Sequence, residues 1–254
     1  MKYFDRNRNV LIVNDDYEYL DSGGCADIYR KDDNIFKVYY EETSKEYKIS
    51  EEVFSDLNEI NSNVMMKIYE LYSKCHFSKK ISYILGFSDF SVDGYLAKYY
   101  KSDATNILLK NKEYLLNSIN EIEEFFEELT NYLILVDDFR FVNSICTESG
   151  IVIIDPDCYK KVYRTYGDSA YFHIDGEELL HMNIKDLKIH NKEALVSYII
   201  DLFTLTAHDL GISDMCSTMD DLDNIKVNEK TIVTDELNKV LKDVKYPLKY
   251  LIKK

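Results

Sequence analysis

LVDDFRFVNSICTESGIVIIDPDCY, residues 135–159, is the stretch on which the fold turns. A helical pattern leads into Asp138, and Asn143 follows at D-x-x-x-x-N spacing. Glu148-Ser149-Gly150 supply turn residues, and the apolar run 151–154 predicts a strand that ends at Asp155. Phosphoryl transfer asks a protein for little covalent chemistry. It needs a carboxylate to orient the acceptor hydroxyl and oxygen ligands to hold Mg²⁺ on the nucleotide phosphates. Asp138 suits the first task as the catalytic residue, and Asn143 with Asp155 suit the second as metal ligands. Each has a plainer reading: Asp and Asn are common, and Asp155 taken alone is a turn residue closing a strand. The order helix, Asp, Asn, turn, strand, Asp is what gives the pattern weight.

Two upstream segments have matching character. LDSGGCADIY, residues 20–29, resembles the glycine-rich loop of the protein-kinase-like superfamily, L-G-x-G-x-x-G-x-V-Y. Gly23 falls on the middle glycine, while Asp21 and Ala26 replace the other two. IFKV, residues 35–38, resembles the V-A-I-K strand and puts Lys37 at its lysine. The resemblance runs from about Leu20 to Asp157. It implies an α+β, bilobal protein-kinase-like fold in a single domain of residues 1–254. Residues 1–100 would form an N-lobe, an antiparallel sheet with one helix, and residues 101–254 a mainly helical C-lobe. ATP and Mg²⁺ are the implied cofactors, with Lys37 pairing the α- and β-phosphates. Gly23 and Gly24 would let backbone N–H groups reach phosphate where no Cβ intrudes. The plainer alternatives are a Gly-Gly hairpin turn and an ordinary strand lysine. Lys37 lies between Phe36 and Val38, so it points away from their face.

The resemblance also asks for a helix glutamate beside Lys37. Thr43-Ser44-Lys45-Glu46 predicts a helix start, and at about 100° per residue Ile49, Val53, Leu57 and Ile60 form one stripe. Glu46 falls within that stripe, whereas Glu51 and Glu52 lie off it. Glu46 is therefore the candidate partner, with Glu52 as the fallback. Thr43 and Glu46 also have capping-box spacing, which would commit the carboxylate to the helix start. Other positions depart from the family. Val136 and Asp137 stand at the H-R of H-R-D, and no A-P-E follows Asp155, so control by a phosphorylated loop is not expected. Asp155-Pro156-Asp157 replaces D-F-G, and a proline with fixed φ suits no phenylalanine flip. Asp157 reads equally as a second carboxylate near the metal or as a turn residue. These departures resemble atypical bacterial kinases and the small-molecule phosphotransferases of the fold.

Composition narrows the classes. A net charge of −15 argues against nucleic acid and anionic membranes as partners, since both favour basic surfaces. No apolar run approaches the roughly 20 residues of a membrane span, and MKYFDRNRNV lacks the apolar core of a signal peptide. Cys25, Cys75, Cys146, Cys158 and Cys216 are odd in number and scattered, which suits a reducing, cytoplasmic setting. His76, His173, His181, His190 and His208 show no metal-binding spacing.

Strands are expected at 10–13, 17–20, 26–30, 34–40, 64–72, 81–87 and 94–100, with a hairpin turn at 32–34 and an interlobe hinge at 101–103. Helices are expected at 113–135 and 193–210. The acidic run EIEEFFEE, residues 121–128, reads as a solvated helix face with Ile122, Phe125, Phe126 and Leu129 turned inward. Residues 159–190 carry no legible signature. The expected function is an Mg-ATP-dependent phosphotransferase, an atypical bacterial protein kinase acting on a protein or small-molecule hydroxyl. The alternatives are a pseudokinase or nucleotide-binding regulatory module, a small-molecule kinase of the aminoglycoside or choline type, and an α+β binding protein with chance spacings.

Overall fold

The computed structural model describes residues 1–74, 90–102, 112–174 and 178–209. The expected strand 81–87, part of the hinge, Cys75, His76 and Cys216 lie outside the described residues. The fold is α+β, with mostly antiparallel sheet and three α-helices among the described residues.

A hairpin of β1 (Lys2–Phe4) and β2 (Val10–Ile12) precedes the main sheet. That sheet holds β3 (Glu18–Ser22), β4 (Ala26–Lys31), β5 (Asn34–Tyr39), β6 (Ile68–Tyr72) and β7 (Gly94–Lys98), in the order β3-β4-β5-β7-β6. Every pair in it is antiparallel. Asp32 adopts φ 55° in the β4–β5 turn, the left-handed conformation that two-residue hairpins require and aspartate tolerates. Strand alternation then sorts the faces. Phe36 and Val38 pack with Tyr3, Val13 and Tyr72, while Tyr39 joins the opposite cluster and Lys37 follows it to that side.

Gly94 pairs with Val38 where β7 crosses β5. A Cβ there would collide with the Lys37 carbonyl oxygen and lie 3.2 Å from Phe36 Cζ. Gly94→Ala must therefore push apart the strand that carries Lys37, and overpacking of this kind costs about 1–3 kcal/mol. A urea midpoint equal to that of wild type would show that the strands have room to separate.

Helix α1 (Glu51–Ile60) begins later than the expected Thr43. Residues Lys45–Tyr47 make only a 3₁₀ turn, and Ser50 caps the helix by accepting from Val53 N at 3.2 Å. Thr43 is committed elsewhere, because its hydroxyl donates to the Cys25 carbonyl at 2.8 Å. Asn61, at φ 48°, closes the helix.

The long helix α2 (Lys112–Asn131) buries Ile122, Phe125, Phe126 and Leu129, the stripe read from the sequence. It stops short of residue 135. Leu133 turns to φ 56°, and β8 (Ile134–Leu135) leaves to pair with β11 (Lys160–Lys161). Between them β9 (Ser144–Cys146) and β10 (Ile151–Ile153) form a hairpin. Ile153 also joins the chain ahead of β6: its N–H donates to Val64 O at 2.7 Å, and its carbonyl accepts from Met66 N at 2.8 Å. Those bonds fix Asp155 relative to the main sheet.

Residues 159–190, without a legible signature, contain a three-stranded antiparallel sheet of β12 (Tyr163–Arg164), β13 (Ser169–Ile174) and β14 (Glu178–Asn183). Helix α3 (Ile184–Asp209) follows at once, well before the expected residue 193. Asn183 Oδ1 accepts from Lys185 N and Asp186 accepts from Asn183 N, a reciprocal cap. One hydrophobic core runs from Tyr39 and Tyr95 through Val53, Leu57, Ile122 and Phe126 to Tyr198 and Ile199. Among the described residues no helix is long and apolar enough to cross a membrane.

Candidate functional site

A cavity of about 830 Å³ lies between the main sheet and the 137–160 segment. All seven expected site residues line it: Gly23, Gly24, Lys37, Glu46, Asp138, Asn143 and Asp155. Ile28, Ile35, Met66, Tyr99, Tyr100, Ile145 and Ile154 complete an apolar and aromatic part of the wall. Register separates the two characters, since Ile35 pairs with Ala97 near Tyr99, whereas Lys37 lies further along β5 opposite Tyr95. The result is a cavity with an apolar part around Ile35 and Tyr99 and a charged part around Lys37 and Asp155.

The glycine loop closes through Gly23 N, which donates to the Ala26 carbonyl at 2.9 Å. A Cβ on Gly24 would meet nothing within 4 Å, and one on Gly23 would only touch the Ala26 carbonyl at 4.0 Å. Packing of the chain itself therefore does not call for glycine at either position. A ligand approaching the backbone closely would.

Lys37 is 8% exposed and makes two ion pairs. Its Nζ lies 2.9 Å from Asp155 Oδ1 and 2.7 Å from Asp157 Oδ2. Tyr39, on the same strand face, donates from its hydroxyl to Asp157 Oδ1 at 2.7 Å and accepts from Ile49 N at 3.2 Å. Burial alone would push the Lys37 ammonium down. The Tyr95 hydroxyl and the Asp157 and Asp155 carboxylates outweigh it and hold the group well above the ordinary lysine range. Burial pushes the Asp157 carboxyl up to about 7, against the pull of Lys37.

The expected pairing of Lys37 with Glu46 does not form. Glu46 sits on the 3₁₀ turn and accepts from Ser44 Oγ at 3.1 Å, and Glu52 is exposed on α1. The helix start moved from Thr43 to Glu51, so the wheel that put Glu46 on the inner stripe does not apply. Asp157, read as a metal neighbour or a turn residue, is the buried partner of the lysine instead.

Asp138 stands in the left-handed region at φ 50°, which aspartate tolerates better than most residues. Its loop is held on both sides. Val136 is buried; its N–H donates to Asn191 Oδ1 at 3.0 Å, and its carbonyl meets His190 Nε2 at 2.9 Å. Phe139 packs between Phe126 and Tyr198, with ring centroids 4.5 and 4.3 Å away. Asn143 Nδ2 donates to the Asp138 carbonyl at 3.3 Å, leaving the amide oxygen as the atom with ligating capacity. Burial raises the Asp138 carboxyl; Arg140 opposes, and Asp155 and Asp137 add to the rise. A raised carboxyl is the direction a proton acceptor needs.

Asp155 and Asn143 offer hard oxygen donors, the chemistry Mg²⁺ takes when substrate phosphates complete its shell. Among the described residues no group of three His, Cys, Asp or Glu side chains is placed to hold a metal by itself. Tyr39, Tyr198 and Asn191 went unread in the sequence, and the sequence reading of Asp157 did not include its pairing with Lys37. Only Tyr39 had a signal, lying two positions after Lys37 and so on the same face. No family model matches the chain, and a search of curated proteins finds no match.

Proposed function

We propose that this protein is an Mg-ATP-dependent phosphotransferase of bilobal, protein-kinase-like fold, an atypical kinase that moves the γ-phosphate to a hydroxyl acceptor. The observation that carries the reading is convergence: seven residues chosen from four separate sequence segments line one cavity with an apolar end and a charged end. The aromatic and aliphatic wall would hold the base. Lys37 and the Gly23-Gly24 backbone would hold the phosphates, and Asn143 with Asp155 would hold Mg²⁺, which when bound offsets phosphate charge. Asp138 would orient the acceptor hydroxyl and take its proton.

One observation favours a second reading, a nucleotide-binding regulatory module without transfer. Lys37 is already neutralised by two carboxylates, and Asp21 adds negative charge beside the glycine loop. Nucleotide binding is common to both readings and is tested first. ATP with Mg²⁺ at a hundredfold excess over Kd should stabilise the fold by about 2.7 kcal/mol, seen as a thermal shift. Asp155→Ala should remove the Mg²⁺-dependent part of that shift. A wild-type chain with no ATP-dependent shift, with or without Mg²⁺, would sink both.

A further inference from the structure

We infer that Asp157, oriented by Tyr39, is the positioning residue for Lys37, a task in which the glutamates around helix α1 have no share. The inference rests on the phosphate-binding role proposed for Lys37. Two carboxylates meet its ammonium, and their surroundings differ. The Asp157 side chain is 7% exposed and that of Asp155 is 34% exposed. Asp157 has a second bond of its own, from the Tyr39 hydroxyl, and Tyr39 is tied in turn to Ile49 N just ahead of α1. Pro156, buried between the two aspartates, fixes the backbone that brings both to one nitrogen.

The arrangement divides the work. Asp155 faces the cavity and can exchange its lysine contact for a cation. Asp157 lines the same cavity but is far more buried and is held by the Tyr39 hydroxyl, so it keeps the ammonium in place while Asp155 turns. The chain entering α1 contributes to this relay through a backbone N–H, Ile49 to Tyr39 to Asp157 to Lys37, and not through a side-chain charge. Glu46 accepts from Ser44, and Glu52 is exposed.

The test begins with nucleotide-free protein labelled at lysine. Wild type should give a slowly exchanging NMR signal for the Lys37 ammonium, identified by its loss in Lys37→Met. Asp157→Asn should speed that exchange by about tenfold or more, and Tyr39→Phe should act in the same direction. Glu46→Gln and Glu52→Gln should leave the signal in place. Persistence of the signal in Asp157→Asn, or its loss in either glutamine variant, overturns the assignment. Where Asp157→Asn does not fold, Tyr39→Phe decides on the same readout. ATP titration supplies the second arm, with Asp157→Asn raising Kd about tenfold. If wild type binds no ATP, the phosphotransferase reading fails while the ammonium signal still decides the positioning. If both proteins bind ATP equally, the positioning role fails and the reading stands.

Discussion

Asp138→Asn should bind ATP nearly as well as wild type and lose phosphoryl transfer by about 10²–10⁴-fold, the range a positioned general base supplies. The substitution is close to isosteric, and asparagine tolerates the left-handed φ of 50° at this position at least as well as aspartate does. Asn143 bonds to the backbone carbonyl of residue 138, not to its side chain, so the loop keeps its shape. What the variant lacks is a carboxylate able to accept the acceptor's proton. Transfer from labelled ATP, to the protein itself or to a cell extract, reads the loss. Undiminished transfer would make Asp138 a bystander and the register of the catalytic loop wrong. Wild type that binds ATP yet transfers to no acceptor would favour the regulatory module. Asn143→Ala is the contrast, because it would remove a ligand proposed for Mg²⁺ and should weaken nucleotide binding and transfer together.

The parts of this site that the sequence made legible are those whose chemistry is local. Gly23-Gly24 between two strands, Lys37 on a strand and the Asp138–Asn143–Asp155 order each depend on short spacing, and the cavity gathers all of them. The partner of Lys37 was illegible for the opposite reason. Asp157 reaches Tyr39 across 118 positions of chain, and no periodicity encodes such a contact. Element ends failed where tertiary contacts outweighed local preference. Helix α2 has apolar residues available up to Leu135, yet Leu133 adopts a left-handed φ with no glycine to announce it, because Ile134 and Leu135 pair with β11. The start of α1 failed because Thr43 had a better use, holding the glycine loop at Cys25. In β13 the alternation was present, with Ala170 and Phe172 buried, but so short a run does not separate strand from chance.

Lys37→Met should destabilise the protein by about 3–5 kcal/mol at mildly alkaline pH, the cost of leaving one member of a buried ion pair alone. Methionine fills much of the lysine stem's space, so the loss is chiefly electrostatic. Its pH dependence follows from Asp157. In wild type, burial already holds that carboxyl at about 7, above the roughly 3.9 of an unfolded aspartate. Between those values the folded state binds more protons than the unfolded state, so stability falls as pH rises, and the fall ends once Asp157 ionises beside Lys37. Without the ammonium, burial and the Asp155 carboxylate both push the Asp157 carboxyl higher still. The variant's stability should therefore keep falling above pH 7, where the Asp157 contribution in wild type has levelled. Urea midpoints at about pH 5, 7 and 9 should show a gap that is small in acid and widens with pH. Adding Asp157→Asn to Lys37→Met removes the stranded carboxyl and should close most of that gap. A gap that stays constant with pH, or one that the second substitution leaves open, would mean that Lys37 stabilises the fold through packing and that Asp157 is not its counter-ion.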